Sequence, residues 1–274
     1  MYEKIQKSKI TRMEIVKTDC KMTLRQVVAK YEPKYAINGG LYDMNTGKVC
    51  DIPLRIDGRT IATSSDGYWM MAWNEGPDIC MIHSRDMGKW RYAIACSTML
   101  KDGANTIFNY NADQGGVRGR TGFGDDDDFV HLLVTTDVNG PMKPESLRTK
   151  MKAGGCQNAI MLDCGGSSQM YCNGKYINCG SRKVSYWILI WTDEVVCPYK
   201  EPSTNVRYGT RGTTAKWVQW QLNRLGYNCG EVDGIFGTKS VAALKAFQKD
   251  MWPNDKDQWD GICGKLTRQK LKEE

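Results

Sequence analysis

Only two histidines, His83 and His131, occur in the 274 residues. Neither belongs to an HExxH or other close histidine motif, and zinc-dependent wall amidases and peptidases need at least two histidines plus a third ligand. The count argues against that chemistry. His131 lies in the apolar stretch 129–134 and reads as a structural residue. A Cys–His protease is arithmetically open, but no local signature supports one. The eleven cysteines include no CxxC pair, so no structural zinc site is expected. Without a secretion signal the thiols are expected free and mostly buried. Cys172 and Cys179, on either side of a turn at Asn173-Gly174, are a pair that oxidation could join. Long apolar runs are also missing. No run of about 18 apolar residues is present to span a membrane. Residues 1–7 lack the apolar segment, roughly 7–15 residues long, of a signal peptide. The expectation is a protein made in the cytoplasm that acts outside only after something else releases it. The net charge of +7 is spread along the chain, with no basic block to track nucleic acid. A basic protein does suit the acidic envelope of many bacteria.

What is present is a repeated strand-end pattern. The apolar run 159–162 ends in Asp163-Cys164-Gly165-Gly166-Ser167-Ser168. Glycines there let a ligand approach the main chain, and free N–H groups at such a turn can hold an anion beside the carboxylate. The same logic recurs in Asn38-Gly39-Gly40-Leu41-Tyr42-Asp43, where Asn38 can both donate and accept hydrogen bonds. A third apolar run, 92–96, enters Ser97 and Thr98. Residues 118–124 set Arg120 and Thr121 among glycines, a setting that suits a bidentate contact to phosphate or carboxylate. Each stretch also has a plain structural reading as a turn or an exposed arginine. The four acids Asp125, Asp126, Asp127 and Asp128 offer hard oxygens for calcium, but their spacing is not that of an EF-hand, and a solvated hairpin tip is the simpler reading. No cofactor is expected.

Thr23 caps an expected helix ending at Lys30, with Leu24, Val27 and Val28 on one face. A second helix is expected over 144–153. Asp57-Gly58 and Asp66-Gly67 are hairpin signals. Many short strands and few helices imply an α+β or mixed α/β domain over residues 1–197 with its site at strand ends. Residues 198–210, with Pro198, Pro202, Ser203, Thr204 and Gly209, read as a linker. Residues 211–274 change character and become all-α. There, Asp233-Gly234-Ile235-x-Gly237 recurs as Asp260-Gly261-Ile262-x-Gly264, and Ser240 and Leu244 recur as Thr267 and Leu271, every pair 27 residues apart. Two copies of a loop-plus-helix unit imply a small pseudo-symmetric bundle.

Those tail residues, with Val218-x-x-x-Leu222, Leu225-Gly226-Tyr227 and Phe247-Gln248, resemble the peptidoglycan-binding domain of bacterial and phage wall hydrolases. The resemblance implies a three-helix bundle that docks on cell-wall glycan or stem peptide without doing chemistry. Trp217, Trp220, Tyr227 and Trp259 are candidates for an aromatic platform. Residues 30–192 resemble the phosphodiester glycosidase family through the Asn38 turn, Arg120-Thr121-Gly122-Phe123-Gly124, the Asp163 turn and Arg182-x-Val184-Ser185. Cys164 departs from the pattern, which usually has a third glycine there, and a thiol would narrow the pocket.

The resemblance implies cleavage of a sugar-1-phosphodiester. Asp163 would be base, nucleophile or oxocarbenium stabiliser. Arg120, with Arg182, would supply positive charge, and Asn38 would hold a sugar hydroxyl or a phosphate oxygen. Gly165, Gly166, Ser167 and Ser168 would cradle the phosphate. Gly39, Gly40, Asp43, Ser97, Thr98 and Thr121 would complete the substrate site, and a second carboxylate, Asp43 or Asp137, is left open. Phosphate is a good leaving group, so a strong general acid matters less, in keeping with the scarcity of histidine. The expected protein is a wall-targeted glycosidase acting on teichoic acid or another phosphate-linked wall glycan, in the manner of a phage lysin. The competing readings are a muramidase-type lysin and a non-catalytic wall-glycan-binding protein.

Overall fold

The computed structural model describes residues 1–108, 110, 114–193 and 197–273. It divides into two compact units, Met1–Asp193 and Glu194–Glu274. The first unit is built from three sheets. In spatial order, sheet one is β1 (Tyr2–Gln6), β12 (Phe129–Val134), β11 (Thr121–Asp125), β13 (Asn158–Met161), β9 (Ser97–Lys101) and β10 (Ala104–Asn105). Sheet two is β15 (Lys175–Ile177), β14 (Met170–Cys172), β3 (Tyr35–Asn38), β16 (Tyr186–Thr192) and β2 (Ile10–Lys17). Sheet three is β5 (Arg59–Ala62), β4 (Leu54–Ile56), β8 (Tyr92–Ala95), β6 (Trp69–Trp73) and β7 (Cys80–His83). All of these strand pairs are antiparallel, so of the two expected classes the unit is α+β.

The apolar patterning explains the layering. Strand β16 is apolar on both faces. Ile188 and Ile190 enter a core shared by all three sheets, together with Met13, Ile94, Phe123 and Ile160. Trp187 and Leu189 face the other way, onto Leu24 and Val27 of helix α1 (Leu24–Tyr31). Thr23 and Gln26 close a reciprocal capping box at the start of α1, worth about 1 kcal/mol. Helix α2 (Pro144–Ala153) packs Leu147 and Met151 on the outer face of sheet one. Gly122 permits that approach, since a Cβ there would stand 3.1 Å from the Met151 sulfur.

Several expectations change. The run 92–100 is not one strand: it breaks at Cys96, and β8 and β9 belong to different sheets. Asp57-Gly58 does form a hairpin turn, with φ of 48° and 74°. Asp66-Gly67 instead lies in the longer loop between β5 and β6. The four consecutive acids form no shared oxygen cage. Asp125 is buried against Lys7 at 2.9 Å, while Asp126 takes the His131 Nε2 at 2.8 Å and two backbone N–H groups. His131 is fully buried, with its other nitrogen 2.7 Å from the Tyr2 hydroxyl. Cys172 and Cys179 are both free thiols.

In the second unit, α3 (Thr213–Arg224), α4 (Thr238–Met251) and α5 (Lys265–Glu273) enclose Val218, Leu222, Phe236, Leu244, Phe247 and Leu271. The stretch expected as a linker is part of this fold: Val206 is fully buried and pairs with Cys263. The repeat has a physical basis. Gln219 donates to the Asp233 carboxylate and accepts the Gly234 N–H, each at 2.9 Å. Gln248 does the same to Asp260 at 3.0 Å and Gly261 at 2.9 Å. Gly234 and Gly261 both have positive φ, 81° and 73°. Trp217 is 3% exposed and belongs to the core, not to a platform. Tyr227 packs edge-on to Phe247 at 5.4 Å.

Candidate active site

The two glycine-bearing strand ends meet. Strand β3 delivers Asn38 and the main chain after β13 delivers Asp163. Asn38 donates to the carbonyls of Gly39 at 3.0 Å and Asp163 at 2.9 Å. Its oxygen accepts from the Thr121 hydroxyl at 2.7 Å and the Gln169 N–H at 3.1 Å. The Asp163 N–H completes the join by donating to the Gly39 carbonyl at 3.2 Å. Asn38 is therefore the bracket between sheets one and two, with both amide hydrogens and its oxygen engaged. It is fully buried, as is Thr121, and neither side chain is placed to hold a substrate.

Gly39 and Gly40 are glycines for a packing reason. A Cβ on Gly39 would stand 2.3 Å from the buried Tyr186 ring, and one on Gly40 would stand 2.7 Å from its hydroxyl. Tyr186 fills the space that a ligand was expected to use. Asp43 lies beyond, exposed, accepting the N–H groups of Asn45 at 2.8 Å and Thr46 at 2.9 Å. Those two hydrogen bonds hold its carboxyl below the usual range. It closes its own loop. Ser97 is buried opposite Met161, and Thr98 donates to the Trp69 carbonyl at 3.3 Å.

Arg120 is the largest correction. Its side chain is fully buried, not open to a ligand. Nε donates to the Met142 carbonyl at 2.9 Å, Nη1 to Gln114 at 2.5 Å, and Nη2 to Gly116 at 2.7 Å and Gly115 at 3.3 Å. Nη1 also reaches the Met161 sulfur at 3.6 Å, and the guanidinium contacts the Cys164 thiol. A guanidinium so enclosed ties two loops together and has no donor left for phosphate.

The carboxylate and one guanidinium remain available. Asp163 is half-buried, and one oxygen accepts the Cys164 N–H at 2.8 Å. Burial raises its pKa, opposed by a hydrogen bond to the Ser167 hydroxyl, by the Cys164 N–H and by the charge of Arg182. Ser167 also contacts the Tyr42 hydroxyl, whose own pKa is raised by burial. Arg182 is exposed, and a Cβ on Gly166 would lie 3.0 Å from its Nη2. Its guanidinium donates to the Met44 sulfur at 3.1 Å, a weak acceptor. The main chain around it is pinned, with Gln169 donating to the Arg182 carbonyl at 3.3 Å and Tyr42 to that of Lys183 at 3.2 Å.

The expected phosphate cradle is narrower than its sequence suggests. The Gly165 N–H donates to the Gly119 carbonyl at 2.9 Å, and the N–H groups of Ser167 and Ser168 turn back onto Cys164 and Gly165. Ser168 is fully buried, and its hydroxyl lacks a partner among the described residues. The exposed Gly166 main chain, under Arg182, is the open part. Cys164 does not narrow the site: its thiol donates to the Leu162 carbonyl at 3.1 Å and packs against the cluster beneath α2.

Arg118 was missed. Its Cδ and the Asp137 carboxylate lie 3.9 Å and 4.0 Å from the Cβ position of Gly165, and its guanidinium makes no ion pair among the described residues. Asp137 accepts the Gly119 N–H at 2.7 Å. The only sequence signal was position, two residues before Arg120 in the same glycine-rich stretch.

A partly buried carboxylate beside a guanidinium that makes no ion pair among the described residues, at a glycine-rich strand end, has the chemistry to meet an anionic ligand. Residues 31–191, over half of the chain, match the phosphodiester glycosidase family model, and the chain belongs to that family. The family implies a hydrolase of phosphodiester glycosidic linkages. Residues 211–271 match a peptidoglycan binding domain. Among solved structures, the chain is similar to the zebrafish N-acetylglucosamine-1-phosphodiester alpha-N-acetylglucosaminidase catalytic domain auto-inhibited by its pro-peptide. That likeness has a TM-score of 0.52 and 19% identity, over 66% of this chain and 73% of that one. A hypothetical protein from Synechocystis is similar with a TM-score of 0.57 and 9% identity, over 70% of this chain and 59% of that one. At such identities the likeness is one of fold. No curated protein matches the chain in sequence.

Proposed function

We propose that the first unit hydrolyses a sugar-1-phosphodiester in a phosphate-linked bacterial wall glycan or teichoic acid. Water adds at the sugar C1, the C1–O bond breaks, and the phosphate departs as a phosphomonoester. Asp163 takes the proton of the attacking water. Arg182 and the Gly166 main chain hold the phosphate, with Arg118 as a second positive charge nearby. Ser167 and Tyr42 orient the carboxylate. The observation that carries this reading is a half-buried Asp163 whose carboxyl feels the charge of an exposed Arg182, a guanidinium that makes no ion pair among the described residues.

The second unit holds the enzyme on peptidoglycan, with half-buried Trp220 and Trp259 as the aromatic surface. We read the whole as a phage lysin that acts on the wall after release from the cytoplasm, which immunogold localisation during infection would test. Purified protein should release free sugar from phosphate-linked wall glycan and leave a phosphomonoester. New reducing ends from wall stripped of its phosphate polymers would instead mark a muramidase, and wall pelleting without turnover would mark a binding protein.

A further inference from the structure

A polar cavity of about 320 Å³ opens between the 63–67 loop and the turn after β7. Pro53 lines it, and the Pro53 carbonyl accepts the Ala95 N–H at 3.1 Å. The Ala95 carbonyl in turn lies 3.6 Å from the Cβ position of Gly40. Ala95 of β8 thus links the cavity wall to the strand end at residues 38–40, whose Gly39 carbonyl accepts the Asp163 N–H.

The cavity is rich in donors. His83 Nδ1 accepts the Arg85 N–H at 3.3 Å, which puts the ring proton of the neutral imidazole on Nε2. Nε2 stands 2.8 Å from where a Cβ on Gly67 would be, so glycine at 67 keeps the space in front of that donor open. Trp69 meets the imidazole edge-on at 5.6 Å and holds its plane. The Ser64 oxygen accepts the Asp66 N–H and the Ser84 oxygen accepts the Tyr68 N–H, each at 3.2 Å. Each hydroxyl, accepting one N–H, keeps its own hydrogen to donate. Arg85 is exposed and makes no ion pair among the described residues. Asp66 stands at the rim as the one acidic acceptor.

We infer that this cavity is an accessory subsite for a polyol or sugar phosphate, taking the phosphate of another repeat of the polymer. His83 Nε2, the two serine hydroxyls and Arg85 bind the phosphate oxygens, and Asp66 accepts a hydroxyl of the attached polyol. The inference rests on the phosphate-polymer reading above for the identity of the ligand.

The test uses the full chain carrying Asp163→Asn, so binding is followed whether or not the wild type turns substrate over. A short glycerol-phosphate oligomer is titrated while the imidazole NMR signals are recorded. With only two histidines in the chain, the buried His131 serves as an internal reference. The His83 Nε2 signal should shift to saturation while His131 stays in place. Arg85→Ala should weaken the affinity about tenfold by removing a charge-assisted contact, with Arg85→Lys recovering part of it. An unmoved His83 signal, or an Arg85→Ala affinity equal to that of the parent, overturns the inference. Inorganic phosphate that shifts His83 at the same concentration as the oligomer also overturns it, because the cavity would then bind a free anion and not a polymer repeat. A wild type that fails to cleave, together with a responding His83, would sink the catalytic reading and leave the subsite standing.

Discussion

Arg120 and Arg182 are the same side chain in opposite circumstances, and substitution should separate them. Arg120→Ala removes donors from four carbonyls, three of them in buried hydrogen bonds, and should cost about 3 kcal/mol or more of stability, read from urea unfolding. Arg182→Ala, at an exposed site, should leave stability within about 0.5 kcal/mol. It should lower kcat/KM roughly 100-fold if the guanidinium stabilises the departing phosphate. Asp163 gives a pH prediction with a definite sign. Its carboxyl titrates above the usual range because burial disfavours the charge. As the base it must be ionised, so the acid limb of the kcat/KM profile should lie above the ordinary aspartate range. Ser167→Ala removes a hydrogen bond to the ionised form and should move that limb higher still. For stability, a raised folded pKa means that the favourable contribution of the protonated form is lost as pH rises from the unfolded value through the folded one. Asp163→Asn should therefore be more stable than wild type at neutral pH, with the difference vanishing in acid, as urea midpoints at the two pH values would show.

At the scale of elements, the site is a seam between two sheets. Gly39→Ala would push a methyl into the Tyr186 ring and should destabilise by about 1–3 kcal/mol through overpacking, measured by thermal unfolding. The two strand ends were legible in the sequence, because each apolar run stops at a polar residue with two glycines close behind, while their joining in one site was implied by the family resemblance. Helices α1 and α2 were legible from caps and periodicity. The roles of individual side chains at the seam were not. Whether a guanidinium in a glycine-rich stretch faces solvent or is enclosed depends on the Gln114–Gly116 and Met142 carbonyls, which only the tertiary fold brings around Arg120. Glycine itself was ambiguous: beside Asn38 it makes room for a buried tyrosine, and under Arg182 it leaves main chain open. The break at Cys96 was hidden because an apolar strand passing from one sheet to another carries no change in composition. In the tail the 27-residue repeat was visible, while its cause was not, since Gln219 and Gln248 are 29 residues apart.

At the scale of the molecule, each unit has its own core, and the two are assigned different tasks. A variant shortened to residues 1–193 should keep its turnover of a small soluble sugar-1-phosphodiester and lose its sedimentation with peptidoglycan. Among the described residues no helix is long and apolar enough to cross a membrane. The central claim is that Asp163 drives cleavage of the C1–O bond of a sugar phosphodiester. Its most direct test is phosphorus NMR of phosphate-linked wall glycan incubated with the purified chain. The diester signal should convert to a phosphomonoester as free sugar appears, with Asp163→Asn slower by about 100- to 10,000-fold while still folded. A diester signal that stays unchanged, or equal conversion by Asp163→Asn and wild type, would contradict it.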